Sequence, residues 1–249
     1  MPHATGNPGA GTLDSPRRVV IVTGASQGIG AGVVNGFRRA GYAVVATSRS
    51  IAPSNEPDLL TVRGDITEAE TARQVVDQAV ARFGRVDTLV NDAGIFISKP
   101  FTDYTVDEFR AITALNLAGF FHVTQRVIGQ MLAQGSGGHV VNISTSLVDQ
   151  AESASPSALV ALTKGGLAAA ARSLAIEYAS HGIRVNAVAL GVIENPAYDP
   201  ASYAGMADLH PLGRLGRIED VVDGILYLER APFVTGVVLP IDGGKAAGH

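Results

Sequence analysis

Residues 19–23 form an apolar, β-branched run that leads directly into the glycine-rich segment TGASQGIG at residues 23–30. The run predicts a buried strand, and the apolar spacing beyond it predicts a helix from Gly28 to Ala40 that ends at Gly41. A strand joined to a helix by such a short turn is the basic unit of an open α/β sheet. This unit therefore favours a fold in which parallel strands alternate with covering helices.

The rest of the chain repeats this alternation of apolar runs and helical patterns. Further strands are predicted at Ala43–Thr47, Leu60–Arg63, Val86–Val90, Val140–Ser144, Val185–Ala189 and Val237–Ile241. Helices are predicted at Glu68–Phe83, within Val106–Leu132, at Pro156–Ala179 and at Ile218–Glu229. Ser155 is expected to cap the third of these helices, with Pro156 in its first turn. The pattern predicts an α/β fold, with a doubly wound parallel sheet of about seven strands in three α/β/α layers.

Composition limits the classes of function. The 249 residues, 46% of them hydrophobic, suffice for one large domain, which we place at residues 17–249 after a disordered leader at residues 1–16. The net charge of −4 argues against nucleic acid or a membrane surface as a partner. With no cysteine and six histidines that lack ligand spacing, no metal site is predicted. No apolar stretch of about 20 residues and no signal peptide are found, so we expect no spanning helix and a cytoplasmic protein.

The glycine-rich segment has the composition of a phosphate-binding turn. Gly24 allows a tight turn, while Gly28 and Gly30 let the backbone approach a pyrophosphate. The helix that follows presents free N–H groups and a partial positive charge to the phosphates. The residues predicted to contact the nucleotide in this turn are Gly24, Ser26, Gln27, Gly28, Ile29 and Gly30.

The end of the second predicted strand bears on the choice of nucleotide. NAD-binding proteins usually place an acidic residue here for the ribose 2′-hydroxyl, whereas this chain has Thr47 and Ser48 and no carboxylate before Glu56. Arg49 follows, and a guanidinium there suits a 2′-phosphate. The alternative is a solvated arginine on a loop. Because the acid is absent and the base is present, we predict NADP(H) in preference to NAD(H).

Further motifs occur in order between Arg18 and Gly244, and with TGASQGIG they resemble the short-chain dehydrogenase/reductase family. These motifs are GDIT with Asp65 and Ile66, NDAG at residues 91–94, NLAG with Asn116, VVNIS at residues 140–144, Lys164, Leu190-Gly191, Ile193 and IDGG at residues 241–244. The resemblance implies a Rossmann-like fold and hydride transfer between a nicotinamide nucleotide and a small-molecule carbonyl or alcohol. It also implies a homo-oligomer, either a dimer or a tetramer.

The resemblance implies roles for individual residues. Asp65 and Ile66 would lie at the adenine end of the nucleotide. The other cofactor-binding residues implied by the motifs are Asn91, Ala93, Gly94, Lys164, Gly191 and Ile193. Asn116 and Lys164 would belong to the catalytic set. Three residues depart from the family pattern: Asp92 replaces an asparagine, Leu190 a proline and Asn195 a threonine.

The largest departure is a missing tyrosine. The family's YxxxK motif reads VALTK at residues 160–164, so Val160 stands where the proton donor is usual. Tyrosine has a free pKa near 10, and in the family the lysine lowers that pKa. Losing a general acid costs about 10²–10⁴ in rate. Lys164 is still expected to hold the nicotinamide ribose.

Other groups are candidates for the hydroxyl and proton roles. Thr145 aligns with the family's serine, although Ser144 and Ser146 flank it and the choice among the three stays open. A tyrosine or histidine beyond Gly191 is one possible replacement for the acid, and so is a water molecule relayed through Asn116 and Lys164. The candidate replacement side chains are Ser157, Tyr198, Tyr203 and His210.

Three functions are compatible with this pattern. The first is an NADP(H)-dependent oxidoreductase acting on a small carbonyl or alcohol with a non-standard proton donor, or acting on an imine or activated C=C bond. The second is a catalytically inactive NADP(H)-binding relative, and the third is a non-redox enzyme on the same scaffold. The intact glycine loop with Arg49, Asn116 and Lys164 favours the first, whereas Val160 favours the second.

Overall fold

The computed structural model describes residues 17–195 and 203–248. Seven parallel strands form one sheet in the order β3-β2-β1-β4-β5-β6-β7. The strands are β1 (Val19–Thr23), β2 (Ala43–Ser48), β3 (Leu59–Arg63), β4 (Thr88–Asn91), β5 (Gly138–Thr145), β6 (Ile183–Leu190) and β7 (Val238–Ile241). All seven predicted strands are confirmed, with ends that differ by no more than a few residues. The predicted leader at residues 1–16 lies outside the described part of the chain.

Helices connect the strands and cover both faces of the sheet. They are α1 (Gly28–Arg39), α2 (Ala69–Phe83), α3 (Val106–Thr113), α4 (Phe120–Gln134), α5 (Ala158–Tyr178), α6 (Tyr203–Ala207) and α7 (Ile218–Arg230). A π-helical turn at Ala114–Gly119 joins α3 to α4. Gly84 ends α2 in the left-handed conformation, with φ of 80°, as its position in the sequence predicts.

The strands read as continuous apolar runs because both faces of the sheet are buried. Val19 and Ile21 belong to the core between the sheet and α2, α4 and α5. Val20 and Val22 point the other way, into the core beneath α1 and α7. Alternate residues of a strand face opposite sides of a sheet, so one short run supplies both cores. This arrangement confirms the predicted three-layer fold.

The order of the strands places a crevice at the carboxyl ends of β1 and β4. The chain moves from β1 outwards to β2 and β3, and then returns to add β4 on the other side of β1. The helices that follow β1 and β4 therefore lie on opposite faces, which opens a cleft between the two loops. Such switch points are where open α/β sheets bind ligands.

The start of α5 differs from the prediction. The helix begins at Ala158, after Ser157, and not at Pro156 with a Ser155 cap. The carbonyl of Pro156 instead accepts a hydrogen bond from the N–H of Lys99 at 2.8 Å, which ties this segment to the loop beyond β4. Tertiary pairing therefore overrides the local signal for a helix start.

The long helix α5 is also more apolar than the sequence analysis anticipates. Residues 158–181 meet the length and hydropathy expected of a membrane span, with a mean hydropathy of 1.3. In the fold this helix packs against β5 and β6, with the side chains of Leu167, Ala171 and Ala175 buried. Length and composition alone are weak evidence for a membrane span, because a helix in a protein core can pass the same test.

Candidate active site

The loop between β1 and α1 forms a concave turn, called the glycine cradle below, in which several positions accept no side chain. Gly24 and Gly28 adopt left-handed φ angles of 69° and 57°. A Cβ atom on Gly24 would lie 2.9 Å from the backbone of Ala93, and one on Gly30 would lie 2.5 Å from the carbonyl oxygen of Gly24. Gln27 begins α1 without a side-chain cap, and the first turn contains no acidic residue. The turn is therefore shaped to receive a phosphate group.

Asp92 places a carboxylate against this cradle. The N–H groups of Asp92 and Ala93 each donate to the hydroxyl of Thr23 at 3.1 Å, which turns the Asp92 side chain towards Gly24 and Gly30. Burial raises the pKa of Asp92 to about 7, while the charge of Lys164 and a hydrogen bond from the Gly30 N–H oppose the rise. The carboxylate thus accepts a hydrogen bond from one of the free N–H groups at the start of α1, and its pKa lies near neutrality.

Two guanidinium groups lie at the carboxyl ends of β2 and β3. Arg49 is exposed and makes no ion pair within the described residues. Its carbonyl accepts a hydrogen bond from the Nε of Arg63 at 2.9 Å, and Arg63 is in register with Ser48. Arg63 is a further candidate site residue that none of the sequence motifs marks. Its position as the last residue of a predicted strand, parallel to the strand before Arg49, was the available signal.

The residues predicted at the adenine lie on the loop after β3. The carboxylate of Asp65 accepts hydrogen bonds from the N–H of Thr67 at 3.0 Å and from its hydroxyl at 2.8 Å. Ile66 is 5% exposed and contacts Gly119, where a Cβ atom would lie 2.9 Å from the Ile66 side chain. Asp65 is therefore fixed by its own loop and remains partly exposed beside the cleft.

Asn116 and Lys164 converge on one point in the fold. The π-helical turn directs Asn116 at Ile95, whose N–H donates to Oδ1 at 2.8 Å and whose carbonyl accepts from Nδ2 at 3.1 Å. The Nζ of Lys164 donates to the carbonyl of Ile143 at 2.9 Å. A Cβ atom on Gly94 would lie 2.8 Å from Lys164 Nζ and 3.1 Å from Asn116 Oδ1. Burial lowers the pKa of Lys164, and the charge of Asp92 opposes that shift.

The three hydroxyls at the end of β5 are not equivalent. Ser144 donates its proton to the carbonyl of Lys164 at 3.1 Å. Thr145 accepts a hydrogen bond from the N–H of Leu147 at 3.3 Å, which leaves its own proton available to an oxygen in the cleft. Ser146 is 1% exposed. All three residues line the cleft. Only Ser144 already donates its proton within the fold, so Thr145 and Ser146 are the hydroxyls that could meet a substrate.

The position of the usual tyrosine is apolar and buried. Val160 is 1% exposed and lines the cleft together with Thr145 and Lys164. Its side chain carries no proton that could be donated. Because it occupies the helical turn before Lys164, it faces the same space that the ammonium group faces.

Two of the candidate proton donors, Ser157 and His210, form hydrogen bonds within the fold. Ser157 donates to the carbonyl of Ser155 at 2.8 Å and does not line the cleft. The Nε2 of His210 accepts from the N–H of Val192, and its Nδ1 donates to the carbonyl of Met206, both at 3.0 Å. In this conformation, therefore, each of these two groups donates its proton within the fold and not to the cleft.

Of the two tyrosine candidates, only Tyr203 lies in the described part of the chain, and it does not line the cleft. The hydroxyl of Tyr203 donates to the carbonyl of Asn195 at 3.1 Å. Its side chain lines a small separate pocket with Glu194 and Ile218. Tyr198 lies outside the described residues.

A single cleft of about 800 Å³ connects the cradle to the end of β5. The predicted site residues that line it are Gly24, Gln27, Gly28, Ile29, Ala93, Gly94, Thr145, Lys164, Gly191 and Ile193. The predicted residues that lie outside its wall are Ser26, Gly30, Arg49, Asp65, Ile66, Asn91 and Asn116. Asn91 is turned into the fold, where its Nδ2 donates to Thr124 and Asn142. Among the described residues, no group of three or more His, Asp or Glu side chains could hold a metal ion.

Comparison with known proteins identifies the family. The profile described as enoyl-(acyl carrier protein) reductase matches residues 24–246. Cis-4-hydroxycyclohexanecarboxylate dehydrogenase of Sinomonas cyclohexanicum is 38% identical over 92% of this chain and 97% of its own length. L-xylulose reductase of Bos taurus is 34% identical over 92% of this chain and 97% of its own length. The chain belongs to the short-chain dehydrogenase/reductase family of oxidoreductases.

Solved structures share the whole fold. The structure of ElxO with NADP bound superposes with a TM-score of 0.86 at 30% identity, covering 93% of this chain and 100% of that one. The 3-ketoacyl-(acyl-carrier-protein) reductase of Brucella melitensis, complexed with NADH, superposes with a TM-score of 0.84 at 29% identity over 93% of this chain and 100% of that one. The likeness therefore extends over the sheet and both helical layers.

Proposed function

We propose that the protein is an NADP(H)-dependent oxidoreductase that transfers hydride between the nicotinamide and a small carbonyl or alcohol, with a proton donor other than tyrosine. The observation that carries this proposal is the shared cleft. It joins the glycine cradle to Thr145 and Lys164, and Asn116 meets Lys164 at Gly94. A protein that only bound nucleotide would have little need for this second group of residues.

The choice of NADP(H) rests on charge at the end of β2. Arg49 is exposed there, and Arg63 lies beside it on the neighbouring strand. No acidic residue occurs between the end of β2 and Glu56, so none directly after the strand would repel a 2′-phosphate or hold a 2′-hydroxyl. The solved structure of ElxO with NADP supports the same assignment. When bound, the nucleotide supplies or accepts the hydride.

The protein residues would manage the oxygen and its proton. The free hydroxyl proton of Thr145 would stabilise the substrate oxygen as negative charge develops on it. Lys164 would hold the nicotinamide ribose, and its ammonium group would deliver a proton through a water molecule that also contacts Asn116. A lowered pKa makes Lys164 a better acid than an ordinary lysine. Val160 leaves room for such a water molecule where a phenol ring would stand.

A second class of reaction is favoured by the apolar surface of Val160. Reduction of an imine or an activated C=C bond depends less on an acid at this position, because an imine enters already protonated and a polarised alkene is protonated on carbon. The family profile that matches the chain is described as an enoyl reductase. The cleft retains the same hydride site for these substrates. If no substrate of either class is reduced, the alternative is a catalytically inactive relative that binds NADP(H).

Exposed apolar side chains support a proposal about the assembly. Apolar side chains lie exposed on α4 and α5, with Phe121 53% and Leu162 65% exposed. A homo-oligomer would cover these side chains. We propose a soluble, cytoplasmic dimer or tetramer that acts on small molecules and uses neither nucleic acid nor a membrane.

The proposal is tested by separating binding from turnover. NADPH and NADH are titrated into the protein by fluorescence, and the loss of NADPH is then followed with panels of ketones, imines and activated alkenes. We expect NADPH to bind more tightly than NADH and at least one class to be reduced. NADPH binding without turnover of any class would rule out the reductase and leave the nucleotide-binding relative.

A further inference from the structure

A third lysine, which the proposed reaction does not use, lines the cleft. The chain's three lysines are Lys99, Lys164 and Lys245. Lys99 is partly exposed and pairs with Glu108 at 2.7 Å, whereas Lys164 belongs to the reaction described above. Lys245 begins the turn after β7, is 4% exposed and lines the cleft. Its position has no role in any of the nucleotide-binding motifs.

The ammonium group of Lys245 has no anionic partner in the part of the chain that the structure describes. The neighbouring carboxylate of Asp242 accepts hydrogen bonds from the backbone N–H groups of Gly244 at 3.0 Å and Ala246 at 2.7 Å. It therefore stabilises the turn and does not neutralise the lysine. Glu152, which also lines the cleft, makes no ion pair with it either.

An unpaired ammonium group at such a position is costly. Protein atoms cover the side chain except where it lines the cleft, so its charge can be compensated only by water or an anion in the cleft. Lysine is almost never fully buried in proteins unless it is paired. The ammonium group of Lys245 faces a ligand cleft and has no protein carboxylate beside it. This arrangement indicates that a ligand supplies the anion.

The phosphates of the nucleotide lie too far away to be that anion. β7 is four strands from β1, which leads into the glycine cradle, and five strands from β2, which leads to Arg49. At about 4.8 Å per strand, these separations are roughly 19 and 24 Å. In contrast, the turn at residues 245–247 packs against residues 146–148, directly after Thr145. Lys245 therefore belongs to the substrate end of the cleft.

The surroundings of Lys245 indicate which anion fits. The apolar residues that line this cleft include Leu147, Val160, Met206 and Leu209. Four other charged residues line the same cleft, namely Asp92, Glu152, Lys164 and Glu194. Lys164 is assigned to the nucleotide, so Lys245 is the cation left for a substrate, and it matches one negative charge on a compact apolar body. Phosphate groups usually recruit arginine and several donors. A carboxylate is the anion that needs only one cation.

We propose that Lys245 binds a carboxylate of the substrate, so that the substrate is an oxo acid and the product the corresponding hydroxy acid. This proposal rests on the reductase function proposed above and narrows its substrate class. The carboxylate would be held beside Lys245 while the carbonyl oxygen lies at Thr145. The spacing of the two groups then selects among oxo acids of different length.

The test compares oxo acids with their methyl esters, which have the same carbonyl and no charge. The wild-type protein, Lys245→Met, Lys245→Arg and the control Lys99→Met are assayed for NADPH oxidation with each compound. The same compounds are titrated into the NADPH complex, with cofactor fluorescence as the signal, so that binding is measured without turnover. Thermal unfolding verifies that each variant is folded.

We expect the wild-type protein to prefer the acids at least tenfold in kcat/KM and in binding. Lys245→Met should abolish that preference mainly through KM and leave ester reduction unchanged, while Lys245→Arg retains part of it and Lys99→Met all of it. Equal binding of acid and ester, an acid preference that survives in Lys245→Met, or a loss of NADPH affinity in that variant would overturn the proposal. Acid-selective binding that requires Lys245, without turnover, would support the carboxylate site and refute only the reductase function.

Discussion

Arg49 is the residue on which the choice between NADP(H) and NAD(H) depends. Its guanidinium is exposed and unpaired in the described structure, so it is available to a 2′-phosphate. We expect Arg49→Ala to weaken NADPH binding by about 10- to 100-fold, since a charge-assisted contact contributes about 1.5–3 kcal/mol. NADH binding should not change. Fluorescence titration of both nucleotides measures the effect.

A control variant distinguishes a contact with the 2′-phosphate from a general effect of removing an arginine. Arg110 is an exposed arginine on α3 that pairs with Asp107, far from the end of β2. Arg110→Ala should leave both affinities unchanged. Equal binding of NADPH and NADH by the wild-type protein, with no change in Arg49→Ala, would contradict the NADP(H) assignment.

Asp92 is the residue that makes the cradle sensitive to pH. Its pKa is raised by burial to about 7, so it gains a negative charge beside the phosphate site as pH rises through neutrality. One charge at short range in a solvated cleft alters binding by about 1 kcal/mol, or roughly fivefold. We expect nucleotide affinity to fall between pH 6 and pH 8, and Asp92→Asn to remove this dependence and to bind more tightly at the higher pH.

The measurement uses NADH as well as NADPH, because the 2′-phosphate of NADPH titrates in the same range. Asp77→Asn on the exposed face of α2 serves as the control. The sign for stability follows from the same shift. The folded protein binds this proton more tightly than the unfolded chain, so the contribution of Asp92 to stability falls as pH rises from about 4 to about 7. A pH-independent affinity for NADH would refute this role.

At the scale of elements, one buried carboxylate on α7 binds residues at the amino-terminal ends of several strands. Glu229 lies 2.8 Å from Arg18 and 2.7 Å from the Nδ1 of His139. It also accepts hydrogen bonds from Tyr42 at 2.9 Å and Thr88 at 3.1 Å. Burial alone would raise the pKa of Glu229, but His139 and Arg18 outweigh it and hold the pKa at about 2.

This cluster predicts a large loss of stability without a loss of nucleotide binding. We expect Glu229→Gln to lower the free energy of unfolding by about 1–3 kcal/mol at pH 7, because an amide cannot accept all the hydrogen bonds that the buried carboxylate accepts from His139, Tyr42 and Thr88. The stabilisation is present above the ordinary pKa of glutamate and is lost as pH falls from about 4.5 to about 2. Thermal or denaturant unfolding measures it.

The exposed Glu219 on the same helix supplies the comparison. Glu219→Gln should change stability by less than about 1 kcal/mol. NADPH affinity should stay unchanged in both variants, since the cluster lies at the end of the sheet opposite the cleft. Equal stability of the two variants would show that Glu229 does not fasten α7.

The same scale shows what the sequence could predict about the elements. The five central strands are buried on both faces and read as apolar runs, so the local sequence predicts them. The edge strands β3 and β7 are only partly buried but still carry short apolar runs. The π-helical turn at residues 114–119 was not, because it depends on contacts between Asn116 and Ile95. The start of α5 was also missed, since the pairing of Pro156 with Lys99 is a tertiary contact.

At the scale of the whole molecule, the sequence predicts those parts of the site whose residues are adjacent in the chain. The glycine cradle is one continuous segment, and its shape follows from its residues. Arg63 and Lys245 were missed because each joins the site only through the strand order. Asp92 was visible as a departure from the family pattern, but its raised pKa depends on burial that no sequence pattern reports.

At this scale, the central proposal is a hydride-transfer scaffold in which Val160 replaces the tyrosine that would donate the proton, and Val160→Tyr tests that proposal most directly. The control is Val160→Phe, which adds the ring without the hydroxyl. NADPH affinity is measured in both variants and the wild-type protein, and NADPH oxidation is followed with a panel of ketones. We expect equal affinities and a rise in kcat/KM of about 10²–10⁴ in Val160→Tyr alone. Equal rates in the two variants would contradict the account, because the scaffold would then lack more than an acid.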